Sequence, residues 1–112
     1  MSPVEVVEAN YEAYNAGDAD RLAELYAENC LVTDLNGNVT LKGRTAFRER
    51  FAKTFAEHPQ NKAWSAGRIA LGNVVVDHEV GERAPGQGGF EIVAIYTIRD
   101  GLIERLAMGR GD

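Results

Sequence analysis

A lone carboxylate, Asp34, interrupts the otherwise apolar first half of CLVTDLNGNVTLKG (residues 30–43). Side chains alternate along a strand, so a straight strand puts Asp34 on the face of Cys30 and Val32. A carboxylate against apolar walls gains proton affinity by desolvation and can take and return a proton, as general acid-base chemistry requires. Asp34 also precedes LNGN, and aspartates near turns commonly accept backbone amides, so an inward acid and a turn acid are both open readings. His78 is the second candidate. In NVVVDHEV (residues 73–80) alternation places it with Val74, Val76 and Val80, as the acid-base partner of Asp34, as a core histidine with one satisfied nitrogen, or, if the register shifts, as an exposed residue. Asp77 and Glu79 then fall on the opposite face, where they would serve a dimer rim or pair with Arg68 or Arg105.

Trp64, Tyr26, Phe51, Tyr96 and Phe90 would line an aromatic cavity suited to a flat apolar ligand, with core filling the plainer reading for Phe51 and Phe90. Two histidines without H-x-H or H-E-x-x-H spacing predict no metal site. No glycine-rich loop joins a strand to a helix, so no nucleotide is expected and the chemistry would need no cofactor.

The elements that must hold these groups follow from periodicity. Val4, Val7, Tyr11 and Tyr14 recur at helical steps, Gly17 stops that helix, and Asp18 caps a second one burying Leu22, Leu25 and Tyr26. The strand carrying Asp34 follows, and Asn36-Gly37 turns it back into Val39 to Lys42. Phe47, Phe51 and Phe55 mark a third helix, which Pro59 ends by His58. From Asn61 the period is two, with strands predicted at 61–71, 74–83, 90–99 and 102–108 and a mobile hairpin loop at APGQGG. Three helices with an antiparallel sheet make an α+β fold. On the strand from Phe90, Phe90, Ile92, Ala94, Tyr96 and Ile98 oppose Glu91, Val93, Ile95 and Thr97, an apolar centre on both sides. A sheet apolar on both faces needs a second cover, so a homodimer through the sheet is expected.

Length and charge bound the function. The 112 residues suit a single domain spanning 1–112, and a net charge of −5 with scattered basic residues disfavours nucleic acid as a partner. No apolar run reaches membrane-spanning length and the start lacks a signal-peptide pattern, so no membrane association and a cytoplasmic location are expected. Cys30, the single cysteine, reads as a small core hydrophobe.

The strings NAGDADRLAELYAENCLVTD, LKGRTAFRERFA, VVVDHEV and EIVAIYTIRDGLIERLAMG resemble the NTF2-like superfamily, in its SnoaL-like and ketosteroid-isomerase-like branch. The resemblance covers nearly the whole chain and implies a curved, cystatin-like sheet wrapped around the helices and a conical pocket, usually in a homodimer. It also implies that Asp34 holds the general-base position of the isomerases. Their oxyanion-holding tyrosine falls at Asn10 and their protonated aspartate near Ala94, so the usual steroid-isomerising constellation is incomplete. The resulting expectation is a small enzyme moving protons on a hydrophobic carbonyl or hydroxyl compound, with Asp34 as base and His78 or Tyr14 as donor. Asn10, Tyr26, Phe51, Trp64 and Tyr96 would contact the ligand. The alternative is a dimeric binding module that keeps the pocket and lacks the chemistry.

Overall fold

Helix α1 (Pro3–Asn15) begins where its sequence supplies every capping group. The Ser2 hydroxyl accepts from the Glu5 amide, the Glu5 carboxylate accepts from the Ser2 amide, and Pro3 occupies the first turn, where a missing N–H costs nothing. The computed structural model, which describes residues 1–110, continues with α2 (Ala19–Glu24), β1 (Tyr26–Thr33), β2 (Val39–Lys42) and α3 (Arg44–Glu57). Strands β3 (Lys62–Leu71), β4 (Val74–Glu82), β5 (Gly89–Arg99) and β6 (Leu102–Gly109) complete it. Asp18 caps α2 by accepting from the Arg21 amide at 3.0 Å. Tyr26, expected on α2, instead opens β1 and is buried there.

The six strands form one curved sheet in the order β2-β1-β6-β5-β4-β3. Neighbouring pairs are antiparallel except β1 with β6, which run parallel, so the sheet is mixed and not purely antiparallel as periodicity alone suggested. Antiparallel direction follows from short hairpin connections, whereas β1 and β6 are separated in the chain by β2, α3 and three further strands and meet only in the folded state. The helices cover one sheet face, with α1 against β3, β4 and β5 and α3 against β1 and β2. Between them lies a core that includes Val6, Val7, Leu22, Phe47, Val75, Ile98 and Ile103.

Two irregularities in the ladder matter for side-chain direction. Between β5 and β6 the partners step from Thr97↔Arg105 to Ile98↔Ile103, leaving Glu104 as the extra residue. That bulge turns both Ile103 and Leu106 inward, although strict alternation would set them on opposite faces. On β4 the face is the reverse of the sequence expectation: Val75 and Asp77 have no exposure at all, while His78 points away from the helices. No helix among the described residues is long and apolar enough to cross a membrane.

Candidate functional site

Between the helices and the concave sheet face is a cavity of about 250 Å³. Asn10 and Tyr14 reach it from α1, Tyr26 from β1, Phe47, Arg50 and Phe51 from α3, Glu79 from β4 and Tyr96 from β5. The polar groups form a directed chain. The Tyr26 hydroxyl donates to Asn10 Oδ1 (2.8 Å), Asn10 Nδ2 donates to the Tyr96 hydroxyl (3.3 Å), and Tyr96 donates to Glu79 Oε1 (3.3 Å). Each donor is consumed by the next group, so the chain ends on the Glu79 carboxylate.

Glu79 also meets a second network. The Tyr11 hydroxyl lies 2.8 Å from Asp77 Oδ2 and 3.2 Å from Glu79 Oε1, and it has one proton to give. The shorter contact is to Asp77, whose two oxygens take a bidentate pair from Arg68 Nε (2.7 Å) and Nη2 (3.0 Å). The Tyr11 proton is thus shared between the two carboxylates, and Tyr96 donates to the same Glu79 Oε1, so both hydroxyls favour the ionised form of Glu79. Removal from water pushes the Glu79 pKa up, the two tyrosine hydrogen bonds draw it back only in part, and the nearby Asp77 charge raises it further. Both recorded bonds at Glu79 use Oε1. No buried side-chain oxygen among the described residues lacks a partner, so Oε2 is the oxygen left accessible in the cavity.

At the other end, Tyr14 and Asn61 close the wall. The Asn61 amide satisfies its neighbours when Oδ1 accepts from Tyr14 and from Arg83 Nη1 (3.0 Å) and Nδ2 donates to the Glu82 carbonyl (3.1 Å). Burial raises the Tyr14 pKa, which keeps its hydroxyl protonated and bonded to Asn61.

The sequence candidates divide sharply. Asp34 is outside the cavity. Its Oδ1 accepts the Asn36 and Asn38 amides, both at 2.9 Å, and its Oδ2 accepts from Asn38 Nδ2 at 2.9 Å, so it is the turn acid; those bonds hold its pKa below the usual carboxylate range. The strand ends at Thr33, and with it the alternation that would have carried Asp34 inward. His78 lies on the outer face with Nε2 3.0 Å from Glu91 Oε1, so it cannot partner a group in the cavity. Trp64 is 46% exposed and lines a separate shallow groove with Glu8, Tyr11 and Arg68. Tyr14, Tyr26, Phe51, Tyr96 and Asn10 do line the cavity. Asp77 pairs with Arg68 as the sequence suggested, but inward and fully buried.

Glu79, Tyr11 and the Asp77-Arg68 pair were not singled out for the site. The three valines at 74–76 give β4 apolar residues in both phases, so alternation cannot say which face is inside. Tyr11 on the apolar stripe of α1, which needs a partner for its hydroxyl, was the available signal.

Comparison with other proteins identifies the scaffold. The family model of the SnoaL-like domain matches residues 7–106. A cystatin-fold protein from Novosphingobium aromaticivorans, described as uncharacterized, superposes with a TM-score of 0.89 at 28% identity, over 98% of this chain and 99% of that one. A "putative polyketide cyclase" from Sinorhizobium meliloti gives a TM-score of 0.77 at 21% identity, over 97% and 100% of the two chains. A "putative ketosteroid isomerase" from Kribbella flavida gives 0.80 at 15% identity, over 98% and 78%. At those identities the last two speak for the fold. No match is found among curated proteins.

Proposed function

The chain belongs to the SnoaL-like domain family, and from that premise we propose an enzyme that moves a proton on a small hydrophobic carbonyl or hydroxyl compound, with Glu79 as the acid-base group. One observation carries this reading: a mostly buried carboxylate with a raised pKa has one oxygen tied to Tyr11 and Tyr96 and the other accessible in an apolar cavity. A base of this kind needs an ionised form strong enough to take a proton and a neutral form with somewhere to rest it. Desolvation supplies the first, and Oε2, free of protein partners, receives the proton while Tyr11 and Tyr96 hold Oε1 in place. Phe47, Phe51, Leu106 and Met108 provide the dry wall that favours proton transfer to carbon or oxygen over exchange with water. The cavity lies below the usual range of drug-sized pockets, roughly 300–1,000 Å³, which favours a small ligand.

The test is deuterium exchange. A panel of small cyclic enones and 1,3-diketones is incubated with the protein in D₂O, and loss of the α-proton signals is followed by NMR. The wild type is expected to accelerate exchange for at least one compound, and Glu79→Gln to lower that rate about 10²- to 10⁴-fold, the usual worth of a positioned general base. An unchanged rate in Glu79→Gln overturns the assignment.

A second reading, a ligand carrier without turnover, is favoured by the groups at the family's oxyanion positions. Ala94 has no donor in its side chain, and Asn10 has both ends of its amide engaged with Tyr26 and Tyr96. Saturable binding with no exchange across the panel selects this reading. In either case we propose that a second copy covers the outer sheet face, whose apolar row Ile69, Val76, Ile95 and Ala107 runs across four strands.

A further inference from the structure

Resting on the reading of this cavity as the ligand site, we propose that its ligand is an apolar monocarboxylate, with the carboxylate held at the mouth by Arg83 and Arg50 and the apolar body directed toward Glu79. The chain carries a net charge of −5, yet three arginines, Arg50, Arg83 and Arg110, line this one cavity against a single carboxylate, Glu79. They arrive from three separate places: mid-α3, the residue after β4, and the residue after β6. Their convergence is a product of the tertiary fold.

Arg83 is the most informative. It is partly buried, stacks with its guanidinium carbon 4.9 Å from the Phe90 ring centroid, and donates Nη1 to Asn61 Oδ1 at 3.0 Å. These contacts fix the plane of the guanidinium but bring no negative charge. Arg21, Arg48, Arg68 and Arg99 each pair with a carboxylate, whereas no carboxylate of the described residues lies within 4 Å of Arg83 or Arg50. A partly desolvated cation held in one orientation without a counter-ion is costly to the free protein, and an anionic ligand removes that cost. A guanidinium fork matches the two oxygens of a carboxylate.

A monoanion fits better than a dianion. Glu79 already places one negative charge, when ionised, on the cavity wall, and like charges sharing a low-dielectric space repel. The cavity lining includes the apolar Phe51, Phe90, Ile92 and Met108, which would receive the hydrocarbon part. In this placement the charged end of the ligand is a handle, and the end near Glu79 is where a proton moves.

Isothermal titration with trans-cinnamate, its neutral isostere cinnamamide, and phenyl phosphate tests the assignment. Cinnamate is expected to bind at least 10-fold more tightly than cinnamamide, with the difference shrinking as salt is raised. Arg83→Gln and Arg50→Gln are each expected to lower the preference about 5- to 30-fold, and Arg83→Lys, which keeps the charge but loses the fork, to lower it less. Arg99→Gln, outside the cavity, should leave it unchanged, and circular dichroism checks that each variant folds. Equal binding of cinnamate and cinnamamide, or an undiminished preference in Arg83→Gln, overturns the proposal; tighter binding of phenyl phosphate overturns the choice of carboxylate. Failure here is separable from failure of the catalytic reading. Glu79→Gln removes a negative charge from the cavity and should keep or increase the cinnamate preference even where it abolishes exchange.

Discussion

Glu79 joins the chemistry of the site to the stability of the protein through its raised pKa. As a base it acts only when ionised, so the exchange rate should rise with pH through a midpoint above the ordinary glutamate value of 4.5. Its contribution to stability has the opposite sign. Because the folded protein holds this proton more tightly than the unfolded chain, the contribution is fully present below the unfolded value and is lost as pH rises through the folded one. Glu79→Gln cannot ionise and escapes that loss. Thermal melts of the two proteins across pH 4 to 8 should therefore show the variant gaining on the wild type as pH rises; a constant gap would mean that Glu79 is not held in a desolvated state. Asp34 behaves in the reverse way, since its turn bonds favour the charged form: their contribution is present above the unfolded value and is lost as pH falls through the lowered one. Asp34→Asn should weaken the β1-β2 hairpin, seen as a lower melting temperature, without changing exchange.

Strand β4 is the element on which the site depends, because Val75, Asp77 and Glu79 enter the interior from it in sequence. Asp77 is fully buried, and Arg68 on β3 lies directly opposite it in the ladder. Removing Arg68 leaves that carboxylate with only the Tyr11 hydroxyl, so Arg68→Met should cost about 3–5 kcal/mol in urea denaturation. A loss near zero would show that water or a shifted side chain compensates the charge. Farther along β4, Gly81 faces Phe90 so closely that an added Cβ would lie 2.2 Å from Phe90 Cζ and 2.7 Å from the Lys62 carbonyl oxygen. Gly81→Ala must push Phe90 from the cavity wall and disturb its stacking with Arg83. The expected result is a destabilisation of about 1–3 kcal/mol with weaker ligand binding, measured by denaturation and titration.

At the scale of the whole molecule, the concave sheet face is filled by helices while the convex face keeps large apolar side chains in water. Ile69 is 70% exposed and Leu71 80%. A stable dimer of standard size buries about 800 Å² on each partner, and an apolar sheet face is the natural source of that area. Analytical ultracentrifugation should give a dimer, and Ile69→Lys should give a folded monomer, because a side chain so exposed in one chain bears little on its own core. A monomeric wild type would refute the dimer and leave the cavity assignments standing.

Local sequence determined most of the elements. The Ser2 capping box, the Asp18 cap, the Asn36-Gly37 turn and the Pro59 stop each act within a few residues, and the strand limits from residue 62 onward follow the alternation closely. Tyr14, Phe51 and Tyr96 were legible as cavity residues from helical spacing or strand phase, whereas Tyr26 was placed on the wrong element and Asn10 was reached only through the family resemblance. The acid was not. Whether β1 reaches Asp34 depends on where a strand ends, and which face of β4 looks inward depends on contacts with helix α1, which lies far away in the chain. A carboxylate can be inside only if a distant tyrosine or arginine meets it there, and that meeting is a property of the tertiary structure.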